Sequence, residues 1–125
     1  MNIDDSLLCK DPDTDHLEGV AWHYDHNANR RARKRMQNAL SYILCNIVVG
    51  THHFTIDIRP YLRESTVRRL NRQRAKEKRL SFVSKPELAK RILRDLRALL
   101  PVGVRVYVQC DAWFVSQKLL RYVAR

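Results

Sequence analysis

Only three glycines occur in the 125 residues, and they stand too far apart to build a glycine-rich loop that cradles phosphate. There is no G-x-S-x-G elbow and no cysteine–histidine pattern of a thiol enzyme. The three cysteines, Cys9, Cys45 and Cys110, are odd in number and widely spaced, with no C-x-x-C pair. That excludes a disulfide framework and a structural zinc site, and it points to a reducing, cytoplasmic setting. The longest apolar run, Ile43–Gly50, contains Asn46 and is too short to cross a bilayer. The first residues are acidic, without the basic and apolar regions of a signal peptide. No internal repeat or low-complexity tract is present.

What the chain has in excess is positive charge, unevenly spread. Residues 1–29 carry seven acidic and one basic side chain, a net of −6, whereas residues 30–125 carry six acidic and 23 basic ones, a net of +17. A field of that size favours a polyanion, and the usual one is DNA or RNA. Two segments concentrate it. Arg30, Arg31, Arg33, Lys34 and Arg35 fill five of six consecutive positions. The segment 64–79 holds seven cations, among them Arg68, Arg69, Arg72, Arg74 and Lys76, against two glutamates. With Val67 and Leu70 as its large apolar residues it makes a poor core helix and reads as a basic arm over about 63–79. Both segments are candidates for tracking phosphates, a contribution that depends steeply on salt.

At this length one domain, 1–125, with one core is expected, and 45% apolar residues suit a folded chain. Residues 1–5 read as the end of a strand, and 38–49 as a buried strand from its β-branched and aromatic second half. A period of two marks strands at 18–24, at 54–58, ending at Pro60, and at 104–110. Ser84-Lys85-Pro86-Glu87 is a capping box that opens a helix with Leu88, Ala89, Ile92, Leu93, Leu96, Leu99 and Leu100 on its core stripe. A last helix over 114–124 turns Leu119, Leu120 and Val123 inward. The expectation is an α/β fold with a mixed sheet in the order β-β-β-α-β-α. Trp22 and Trp113 read as core residues.

Two acidic positions stand out. Asp111 follows the alternating run Val104–Cys110, and Asp4 and Asp5 sit in the opening strand. Carboxylates at the carboxyl ends of neighbouring core strands lie at the sheet rim, where α/β domains place their sites. Phosphoryl transfer needs divalent ions, and a pair of carboxylates on rigid strands suits Mg²⁺. The competing reading is that Asp4 and Asp5 cap a turn and Asp111 caps the helix after it. His23 and His26, three apart, and the adjacent His52 and His53 lack further ligands at zinc spacing.

Three blocks carry a family resemblance. Ile3-Asp4-Asp5-Ser6-Leu7-Leu8-Cys9-Lys10 resembles the I-D-D-T-x-x-x-K block of DDE transposases from prokaryotic insertion sequences. His16–His26 resembles the E-G-V-x-x-x-Y-D-H block that follows it, and Val106–Leu120 resembles the V-x-x-D-S-W-Y/F-x-S-x-K-L-L block. The resemblance implies an RNase H-like fold and metal-dependent DNA strand cleavage and transfer at transposon ends, with Mg²⁺ or Mn²⁺ as cofactor. It places Asp4 first, with Asp5 as its competitor for the metal, and Asp111 second among the catalytic carboxylates. DNA is the implied partner, and a homodimer is implied for the intact enzyme. The third catalytic residue of the pattern, a glutamate on a later helix, has no counterpart in the sequence. The expectation is therefore a transposase fragment, incomplete at its carboxyl side, that keeps DNA binding and lacks catalysis in isolation. The alternatives are a small non-enzymatic basic protein that binds nucleic acid, and a ribosome-associated basic domain.

Overall fold

The fourteen residues Met36–Val49 are dominated by branched and aromatic side chains, and they form the longest strand of the chain. The computed structural model describes residues 1–25 and 36–124. Within them lie five strands: β1 (Asn2–Cys9), β2 (Ala21–Tyr24), β3 (Met36–Val49), β4 (His52–Tyr61) and β5 (Gln109–Cys110). Three α-helices accompany them, α1 (Glu64–Asn71), α2 (Lys85–Arg97) and α3 (Gln117–Val123), with one-turn 3₁₀ helices at Lys76–Lys78 and Ala112–Phe114. The sheet order is β2-β3-β1-β5, with β4 also pairing with β3. β1 and β5 are parallel and β2 and β3 antiparallel, so the chain is α/β with a mixed sheet of five strands. Among the described residues no helix is long and apolar enough to cross a membrane.

The chain divides into two compact units. The first comprises Met1–Ser6, Tyr42–Arg59 and Val83–Arg125. Its core is built from Ile3, Ile43, Cys45, Leu88, Ala89, Ile92, Leu93, Leu96, Phe114 and Leu119. Helix α2 begins as its sequence requires: Ser84 Oγ accepts the Glu87 amide N–H, and a proline sits in the first turn, where its missing donor costs nothing. It packs against α3 and against the turn Ala112–Phe114. Arg59 on β4 ties this helix to the sheet through Asp57 (2.7 Å) and Asp95 (2.8 Å).

The second unit comprises Leu7–Ser41 and Pro60–Phe82. Asn38, almost fully buried, donates its amide to the carbonyls of Asp11, Pro12 and Thr14, and so holds the turn-rich loop before β2. The amide of Asn71 bonds Leu80 in both directions and closes the loop that follows α1.

The differences from expectation have local causes. Four strands precede the helices, in the four segments read as strands and one more than the order β-β-β-α-β-α counts. The segment 64–71 is a true helix, with Thr66 and Val67 buried on its inner face. β1 runs on to Cys9, so Asp4 and Asp5 lie inside the strand and not at its carboxyl end, and β4 runs through Pro60 to Tyr61. Helix α2 stops at Arg97, which leaves Leu99 exposed, and α3 starts only at Gln117, with Leu120 and Val123 exposed. Trp22 and Trp113 are 47% and 69% exposed and are not core residues. His23 takes the inward position beside Trp22, and Phe114 takes it beside Trp113.

Candidate functional site

In the first unit, β1 and β5 meet in parallel, with Asn2 opposite Gln109 and Ile3 opposite Cys110. Pairing starts one step earlier: the Met1 ammonium donates to the Tyr107 carbonyl, and the Gln109 N–H donates to the Met1 carbonyl. One residue beyond the last pair come Asp4 and Asp111. Paired strands lie about 4.8 Å apart, and residues in register point to the same face. Ile3 is buried and Cys110 half-buried; Asp4 follows within β1, Asp111 follows just past β5 at the cap of the 3₁₀ turn, and both are exposed. Neither has a cationic partner among the described residues. Two like charges so placed repel each other unless a cation joins them.

Each carboxylate also has a local role. Asp4 Oδ1 accepts the Asp5 amide N–H at 2.8 Å. Asp111 accepts the Ala112 N–H and caps the 3₁₀ turn Ala112–Phe114, which Phe114 anchors in the core. Ser116 then caps α3 by accepting the Leu119 N–H at 3.2 Å. The block 106–120 is thus a strand end, a turn and a helix start, with Asp111 at the first corner. Burial, followed by the adjacent Asp111 charge, pushes the Cys110 thiol above its ordinary range.

Asp5 is placed differently. It shares the inward side with Ile3, and its Oδ2 lies 2.5 Å from Nζ of Lys85, the first residue of α2. Both side chains are about one-quarter exposed.

The donor set suits a hard cation. Mg²⁺ is commonly held by one or two carboxylates while it keeps several waters, and Asp4 and Asp111 offer two hard oxygen donors open to solvent. Among the described residues no group of three or more histidine, cysteine or acidic side chains could hold a metal.

In the second unit, Ser65, Arg68, Arg69 and Arg72 recur at helical spacing on the outer face of α1 and, with Glu64, line an open groove of about 420 Å³. Their internal commitments are weak. Arg68 pairs with Glu64 in an exposed i,i+4 bridge, and Arg69 makes a 3.3 Å hydrogen bond to the Val20 carbonyl. Arg74 differs: it grips Glu18 with two hydrogen bonds of 2.7 and 2.8 Å and is bound into the fold. Lys76 is exposed on the following turn. Arg30, Arg31, Arg33, Lys34 and Arg35 lie outside the described residues, as does His26.

Sequence reasoning missed Asn38, Arg59 and Lys85. Only Lys85 left a trace in the sequence, as the second residue of the capping box. Comparison with known proteins finds no matching family model, no matching curated protein and no matching solved structure.

Proposed function

We propose that this chain is part of an RNase H-like catalytic domain of a DDE transposase, with Asp4 and Asp111 as two of its metal-holding carboxylates. The observation that carries the reading is the parallel register of β1 and β5, whose ladder ends one residue before each of the two acidic residues of separate sequence blocks. The strand order supports it as well. The first strand lies between β3 and a parallel β5 reached through helix α2, as the crossover of such a fold requires.

Asp4 and Asp111 would hold Mg²⁺ or Mn²⁺. When bound, such an ion activates a water or a 3′-hydroxyl and stabilises the leaving oxygen of a phosphodiester. The chain's own residues set the geometry. The β1–β5 ladder sets the backbone register just before the two residues, and Asp111 Oδ1 accepts the Ala112 N–H. The face of α1 carrying Arg68, Arg69 and Arg72 would take DNA phosphates, since planar guanidinium groups match phosphate oxygens and an anion relieves their mutual repulsion.

The test is Mn²⁺ titration followed by electron paramagnetic resonance. Asp4→Asn and Asp111→Asn should each weaken binding about tenfold or more, as loss of a ligand predicts. Unchanged affinity in both variants contradicts the reading. That result would favour the second one, a basic nucleic-acid-binding protein without a metal site, which the local capping roles of Asp4 and Asp111 and the arginine face support.

A further inference from the structure

The sequence block Ile3-Asp4-Asp5 offers two adjacent carboxylates for one metal position, and periodicity alone does not choose between them. The structure separates them by face. Strand alternation sends Asp4 outward, where it is exposed, and turns Asp5 toward the side of Ile3, which is 1% exposed. On that side the first residue of α2 waits: Lys85 Nζ lies 2.5 Å from Asp5 Oδ2. The helix cannot drift from this position easily, because Leu88, Ala89, Ile92, Leu93 and Leu96 are buried along it and Ser84 caps its start. Meanwhile the Asp5 N–H donates to Asp4 Oδ1, so the conformation of residue 5 sets the orientation of the neighbouring carboxylate.

We propose that Lys85 is a positioning residue for the Asp4 carboxylate: its ammonium claims Asp5, so that β1 presents Asp4 alone to a divalent cation. This rests on the metal-holding reading of Asp4 and Asp111. The pairing has two consequences. It neutralises a second negative charge beside the site, which would otherwise add to the repulsion between Asp4 and Asp111. It also anchors residue 5, whose backbone N–H steers the Asp4 carboxylate.

The test uses the full chain with Mn²⁺ as probe, comparing wild type, Asp5→Asn, Lys85→Met, Lys85→Arg and the double variant Asp5→Asn/Lys85→Met. The double variant removes both charges and should bind Mn²⁺ within about twofold of wild type. Lys85→Met alone frees the Asp5 charge and should change affinity by more than threefold, and Lys85→Arg should restore the wild-type value. A double variant as weak as Asp4→Asn would make Asp5 a ligand and overturn the proposal. Stability gives an independent readout. The losses in Asp5→Asn and Lys85→Met, measured by urea unfolding, should be non-additive, with the double variant no less stable than the weaker single one. Additive losses would overturn the pair whatever the metal result. If wild type binds no Mn²⁺ while the losses are non-additive, the metal reading fails, and with it the role of Lys85 at that site, while the ion pair stands.

Discussion

Gly19 shows how a motif residue can serve the fold rather than the chemistry. Its φ of +89° lies in the region that favours glycine, and a Cβ there would meet Leu62 Cδ2 at 2.8 Å. Its neighbours are structural too: Glu18 holds Arg74, Val20 is buried, and the Val20 carbonyl accepts from Arg69. The Glu-Gly-Val sequence therefore closes the second unit. Gly19→Ala should cost about 1–3 kcal/mol, combining strain at a positive φ with the clash, and should lower the thermal midpoint while leaving Mn²⁺ binding unchanged. A midpoint equal to that of wild type would contradict this. Cys45 belongs to the same class. Burial, with the nearby Asp57 charge, pushes its thiol up to about 11, so it packs as a small apolar group rather than reacting.

Among the elements, α2 was the most legible in the sequence. Its capping box, its proline and its stripe from Leu88 to Leu96 all appear as expected, because an amphipathic helix states its period locally. Leu99 continued that stripe in sequence yet is 79% exposed, since the helix has already ended and Pro101 follows. The run 104–110 was legible only in part. Its alternation survives as exposure, with Val106, Val108 and Cys110 half-buried between exposed neighbours, but a ladder needs a partner strand and pairing starts at Tyr107. Long-range ties such as Arg59 to Asp95, or Lys85 to Asp5, left no local signal, because nothing in either segment encodes its distant partner.

The Arg59 tie makes a pH prediction. Hydrogen bonds first from Arg59 and then from Arg94 hold the Asp95 carboxyl below its ordinary value of 3.8. A carboxyl lowered on folding stabilises the fold above its ordinary value, and that contribution is lost as pH falls through the lowered one. Arg59→Gln should therefore lower the urea midpoint near neutral pH. The difference in urea midpoint between wild type and variant should shrink as pH falls below 3.8. A gap that stays constant into that range would contradict the assignment.

On the scale of the whole molecule, the charge asymmetry read from the sequence acquires a location. Of the cations in 63–79, Arg63 donates to the Trp22 carbonyl and Arg74 is held by Glu18, whereas Arg68, Arg69 and Arg72 share an outward helix face. A charge run in sequence cannot distinguish these groups, because the distinction depends on which side of α1 is buried. Duplex DNA binding should be steeply salt-dependent. The combined variant Arg68→Ala/Arg69→Ala/Arg72→Ala should reduce the slope of log K against log salt by about 2.7, or about 0.9 for each phosphate that is no longer neutralised. Absence of DNA binding by wild type at low salt would contradict both functional readings.

The central claim is that Asp4 and Asp111 act as one cation site. The most direct measurement is the anomalous difference density of a crystal of the chain grown or soaked with Mn²⁺. The account predicts one peak within coordination distance of a carboxylate oxygen from each of Asp4 and Asp111, with Asp5 still paired to Lys85. A peak on Asp5, or a Mn²⁺-bound crystal with no density between Asp4 and Asp111, would contradict it.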